Sequence, residues 1–69
     1  MSMPRKIRQL IAELERAGFA TVPAKGSHRK FRHATGITVI LSGQPGADAH
    51  HYQEKDVQRA IAVTRETRQ

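Results

Sequence analysis

Ile7, Leu10, Ile11 and Leu14 recur at spacings of three, four and seven, so on a helix they line one face. Around them stand Arg5, Lys6, Arg8, Glu13 and Arg16, and the pattern predicts a helix over residues 4–17. Pro4 suits the first turn, where an N–H has no helical acceptor, and Ser2 or the residue after it supplies the cap. Gly18 ends the helix as a residue free to take positive φ. Beyond it the period shortens. FATVP (19–23), HRKFR (28–32) and ITVIL (37–41) read as three extended runs, the last rich in branched side chains. AKGS (24–27) and HATG (33–36) form short turns between them, the second with glycine last, as a type I turn prefers. Two short turns joining three strands predict an antiparallel meander. SGQPGADA (42–49) is a glycine- and proline-bearing connection to a last helix, on which Val57, Ala60, Ile61 and Thr64 share a stripe. RETRQ reads as a fraying end.

The expected order is α-β-β-β-α, an α+β fold. Both helices must cover one face of the sheet, because the apolar surfaces have no other way to close; the second face is left to water or to a ligand. Side chains alternate across a strand. Phe31, the one large apolar residue of HRKFR, should therefore face the helices, with Arg29 on its side of the strand. His28, Lys30 and Arg32 then share the open face, and Lys25 joins them from the preceding turn.

Composition sharpens this picture. A chain of 69 residues forms one small domain, taken as residues 1–69. It has no cysteine, so disulfides and thiolate metal sites are excluded. No apolar run approaches the roughly 20 residues that span a bilayer, and no signal-peptide pattern is present, so a cytoplasmic protein without membrane contact is expected. The net charge is +6, and its distribution is uneven. Residues 17–47 hold Lys25, Arg29, Lys30 and Arg32 and no acid, whereas residues 48–69 carry four cations and four acids. A one-signed field of this kind attracts polyanions, of which nucleic acid is the commonest in a cell.

The segment KGSHRKFRH (25–33) places an imidazole among these cations. Cations on an open face hold phosphates, and RNA carries its own nucleophile in the 2′-hydroxyl. Histidine's ordinary pKa near 6.5 lets it accept or donate a proton near neutral pH. On these residues alone a histidine in a basic patch is more often a binding or solvated group than a catalyst. Three readings follow: an RNA-cleaving enzyme, a non-catalytic RNA-binding module on the same face, or a protein that binds only an acidic partner.

The leading helix ending in AGF, followed by KGSHRKF, resembles the HicA-type mRNA interferase toxins of bacterial toxin–antitoxin pairs. The shared core is Gly26-Ser27-His28 with an aromatic three residues on, here Phe31, and the resemblance covers roughly residues 5–41. It implies a fold similar to the double-stranded RNA-binding domain and ribonuclease action on mRNA, with His28 as the catalytic residue. It also implies a HicB-like antitoxin that covers the active surface. Lys25, Gly26, Ser27, Arg29, Lys30 and Arg32 are the expected RNA-binding residues. Gly26 permits the tight turn, and Ser27 can bond turn backbone and so orient His28. The chain departs from the family after the third strand. Many HicA-like chains place a histidine–proline-type segment there, while this one has SGQPGADAHHYQEKDVQRAIAV, so no family residue is carried over into it.

Among the other histidines, His33 is expected to be a solvated turn residue. His50 and His51 are neighbours and would point about 100° apart on a helix, unlike the i, i+4 pairs that hold metals. No carboxylate cluster accompanies them, so neither a metal nor any other cofactor is expected. One of them could approach the sheet and assist His28. Tyr52 lies off the apolar stripe of the last helix; partial core packing is expected of it ahead of base stacking.

Overall fold

The structure, a computed structural model, describes residues 5–26 and 28–66. The elements are α1 (Ile7–Arg16), β1 (Ala20–Val22), β2 (Arg29–Arg32), β3 (Thr38–Leu41) and α2 (His51–Glu66). The strands form one antiparallel sheet in the order β1-β2-β3. This is the α+β arrangement that the hydrophobic pattern predicts.

One core closes the fold. Ile7, Leu10 and Leu14 of α1 meet Phe19, Phe31, Val39 and Leu41 from the sheet side and Val57 and Ala60 of α2. Ile11 and Ile61 pack at its margin. Phe31 lies opposite Val39 across the β2–β3 pair, and both are buried. Lys30 is in register with Val22 on one side and Ile40 on the other, so this row faces away from the helices. The turn between β2 and β3 has the expected form: the Gly36 N–H donates to the His33 carbonyl at 2.8 Å, and Gly36 takes φ +97°.

α1 starts later than the apolar period suggests. Ser2 and Pro4 lie outside the described residues, and Arg5 and Lys6 are not helical. Lys6 is extended, at φ −84° and ψ 152°, and bridges Asp48. The first N–H groups of a helix have no acceptor within it. Here the 42–49 connection supplies some: Ile7 N–H donates to the Ala47 carbonyl and Arg8 N–H to that of Pro45, each at 2.9 Å. In return Ala49 N–H donates to the Arg5 carbonyl at 2.6 Å, and Lys6 Nζ meets Asp48 Oδ1 at 2.6 Å. The Gln9 side chain also reaches back to the Lys6 N–H at 2.7 Å. A segment some 40 residues away in the chain thus decides where α1 begins.

α2 is anchored by a buried polar residue. Gln53 Oε1 accepts the His50 N–H at 2.8 Å, and its Nε2 donates to the Ser42 carbonyl at 3.1 Å. Gln53 therefore caps the helix and ties its first turn to the end of β3. Gln53→Leu is expected to cost about 1–3 kcal/mol, since it leaves polar backbone groups without partners. Urea denaturation checks this, and an unchanged midpoint would show that the two bonds contribute nothing. The phase set by Gln53, Val57, Ala60 and Thr64 leaves Tyr52 about 100° away from the core. Tyr52 is accordingly 59% exposed instead of partly packed, and its ring lies nearly parallel to that of His50, centroids 5.8 Å apart.

Candidate nucleic-acid interface

Gly26 takes φ +68° in the turn after β1, a conformation that a side chain would strain. This turn carries exposed Lys25 and leads to exposed His28, immediately before β2. Ser27 lies outside the described residues. Lys25, His28 and Lys30 line one depression of about 400 Å³, completed by Pro23, Ala24 and Ile40. Lys30 is half-buried because Val22 and Ile40 flank it across the sheet. Such apolar neighbours hold the aliphatic stem of a lysine and leave its ammonium at the surface.

The remaining cations are placed apart from this group. Arg32 is exposed on the same face, but four residues beyond His28, or about 13 Å along an extended strand. Arg29 pairs with Leu41 and shares the covered side of β2 with Phe31. It is half-buried, and among the described residues its Nε has no hydrogen-bond partner. The structure thus brings Lys25, His28 and Lys30 together, lays Arg32 farther along the same track, and turns Arg29 toward the other face.

His33 is not a solvated turn residue. Its ring is half-buried and lies 5.1 Å from the Phe19 ring at 54°. The Thr35 N–H donates to His33 Nδ1 at 3.1 Å, so in the neutral ring the proton sits on Nε2. That nitrogen faces Gly18, where an added Cβ would come within 3.2 Å of it. His33 therefore wedges between the β2–β3 turn and the end of α1. A histidine in a turn looks solvated in sequence because its neighbours from other elements are invisible there.

His50 and His51 lie at the start of α2, and both are exposed. Ser42 follows Leu41, and Leu41 pairs with Arg29, so Ser42 lies at the end of the sheet where the chain passes from His28 into β2. The bond from Gln53 to Ser42 then sets the first turn of α2 at the His28 end of the sheet. Ile40 is the site residue that sequence reasoning missed. Its signal was present: alternation along ITVIL turns a large branched side chain outward beside Lys30. Among the described residues no three His, Asp or Glu side chains are grouped to hold a metal ion, and no helix is long and apolar enough to cross a membrane.

Fold and site together define a small, strongly basic α+β domain whose sheet presents an imidazole and cations on its uncovered face. The chain belongs to the HicA toxin family: the family model for the HicA toxin of bacterial toxin-antitoxin matches residues 7–63. It is thus a toxin of the kind that works opposite an antitoxin. No curated protein matches the chain.

Proposed function

We propose that this toxin cleaves mRNA, with His28 transferring a proton and Lys25 and Lys30 holding the phosphates on either side of the scissile bond. The observation that carries this reading is the depression in which His28 meets those two cations, on the face that neither helix covers. In the reaction the 2′-hydroxyl attacks the adjacent phosphorus and the bond to the 5′-oxygen breaks. The products are a 2′,3′-cyclic phosphate and a free 5′-hydroxyl. His28 either takes the proton of the 2′-hydroxyl or gives one to the departing 5′-oxygen. The complementary transfer falls to water or to a second side chain. Gly26 shapes the turn that presents His28, and the hydroxyl of Ser27, the residue before His28 in sequence, is the group proposed to help orient it. Arg32 extends the cationic track along β2. Arg29, turned toward the helical side, supports the strand instead of meeting RNA. A HicB-like antitoxin restrains the enzyme in the cytoplasm by covering the same face with acidic groups.

The test is incubation of the purified chain with single-stranded and structured RNA, with and without chelator, followed by analysis of the product ends. Cleavage in chelator that leaves cyclic phosphates is the expected result. Binding without cleavage would make the chain a non-catalytic RNA-binding module.

Charge reversal ranks the cations. Removing one phosphate-binding cation should lower the slope of log K against log salt by about 0.7 for single-stranded RNA. Lys30→Glu is expected to weaken binding more than Arg32→Glu, because Lys30 lines the depression and Arg32 does not. An unchanged salt slope in the Lys30→Glu, Arg32→Glu double variant would remove this face from the binding site.

A further inference from the structure

We propose that the free edge of β3 and the neighbouring flank of α2 form a docking groove for an extended acidic segment of a partner protein, which joins the sheet as a fourth strand. The proposal deepens the reading above, in which a protein partner covers the open face.

The sheet order leaves β3 at an edge, and among the described residues no other strand pairs with its outer side. The outward amides and carbonyls of such a strand are a template for another chain. A groove of about 580 Å³ runs beside this edge, with Ile37 and Ile40 on one wall and Asp56, Arg59, Ala60 and Val63 on the other. Among the described residues, Ile40, Tyr52 and Val63 are the large hydrophobic side chains left exposed. Ile40 and Val63 line the groove. Tyr52 stands one turn before Asp56 on the same flank, because positions 52, 56, 59 and 63 recur at helical spacing. Single exposed apolar residues need no explanation, but a strip of them beside an open strand marks an interaction surface.

Charge and continuity identify the occupant. Ile40 lines both this groove and the depression that holds His28, Lys25 and Lys30. A fourth strand would direct alternate side chains to the two faces of the sheet. Those on the helical side would settle against Ala60 and Val63 and should be apolar. Those on the open side would pass Ile40 toward Lys30 and should be acidic, since Lys25 and Lys30 line the adjoining depression and Arg32 lies exposed farther along the same face. The matching segment alternates carboxylates with branched apolar residues. A second copy of this chain fits poorly, because each copy carries +6.

The probe is an eight-residue peptide of alternating valine and glutamate, added to the full chain and followed by amide exchange and chemical shifts. A valine–lysine peptide of the same length is the control. The acidic peptide should bind saturably and slow exchange at least tenfold at the outward amides of residues 38–41. Val63→Glu, which lies outside the RNA track, should weaken that binding at least tenfold, and the basic peptide should not bind. Shifts confined to residues 25–32, with the β3 amides unprotected, would overturn the proposal. So would unchanged binding by the Val63→Glu variant, β3 protection by concentration-dependent self-association, or the same protection by a uridine hexanucleotide. A protected β3 edge in a chain that neither binds nor cuts RNA would refute the proposed reaction and leave the groove standing. RNA cleavage with an unprotected edge would refute the groove alone.

Discussion

His28→Ala and His28→Gln are each expected to abolish RNA cleavage, lowering kcat by about 10²–10⁴-fold, the usual worth of a positioned acid or base. Binding should survive, because Lys25 and Lys30, the proposed phosphate contacts, remain in place. Stability should change by no more than about 0.5 kcal/mol, as for other surface substitutions away from special contacts. His28 is exposed, precedes β2, and belongs to no part of the core. Glutamine separates proton transfer from polarity: it keeps hydrogen-bonding capacity in the depression but neither takes nor gives a proton near neutral pH. The measurement is single-turnover cleavage in chelator, with affinity determined in parallel on an RNA lacking the 2′-hydroxyl at the cut site. Cleavage that survives both changes would sink the assignment. The next candidates would be His50 and His51, which stand at the His28 end of the sheet, and last His33, whose ring is held by Thr35 and Phe19. If cleavage is abolished, His50 and His51 are the first candidates for the complementary proton transfer. A His28→Ala, His51→Ala pair that loses no more than His28→Ala alone would be the sign that they act as a unit.

Phe31→Ala should produce the largest loss of stability of any single truncation here, about 3–5 kcal/mol if the cavity does not collapse. Phe31 is 1% exposed and leads the fully buried side chains in volume. It sits in the central strand, between β1 and β3 and under the helices, so no edge is available from which the hole could be filled. Small domains hold only about 5–15 kcal/mol in total, and one of this size lies toward the low end. The variant is thus expected to be largely unfolded at 37 °C. Urea denaturation and thermal melting check this beside His28→Ala and Lys30→Ala, which should melt near the wild type. Equal losses in Phe31→Ala and His28→Ala would contradict the register that sets the two on opposite faces. The contrast matters for the proposed activity too, because it separates loss of cleavage through chemistry from loss through unfolding.

Much of the fold is legible in the sequence because it rests on short-range periods. Ile7, Leu10 and Leu14 are buried as their spacing demands, and the alternation around Phe31 turns Lys30 outward as expected. The cationic face follows from the same alternation, together with the absence of acids between residues 17 and 47. The departures from pattern share a cause. The start of α1 is set by backbone acceptors in the 42–49 connection, Tyr52 by the phase that Gln53 imposes on α2, and His33 by Phe19 and Gly18. Each involves a partner from another element.

Local pattern therefore determined the order of elements, the inward and outward sides of β2 and the sign of the open face. Helix and strand periods are properties of consecutive residues, and burial of an apolar stripe outweighs most weaker preferences. Tertiary structure decided which members of that face form one site. It gathered Lys25, His28, Lys30 and Ile40 into a single depression, left Arg32 farther along the strand, and brought the start of α2 to the same end of the sheet. Those distances depend on how the turns close and on hydrogen bonds between residues remote in sequence, such as Gln53 to Ser42 and Ala49 to Arg5. A one-dimensional pattern carries the faces of each element, whereas the meeting of elements is fixed by the packing and polar satisfaction of the assembled chain.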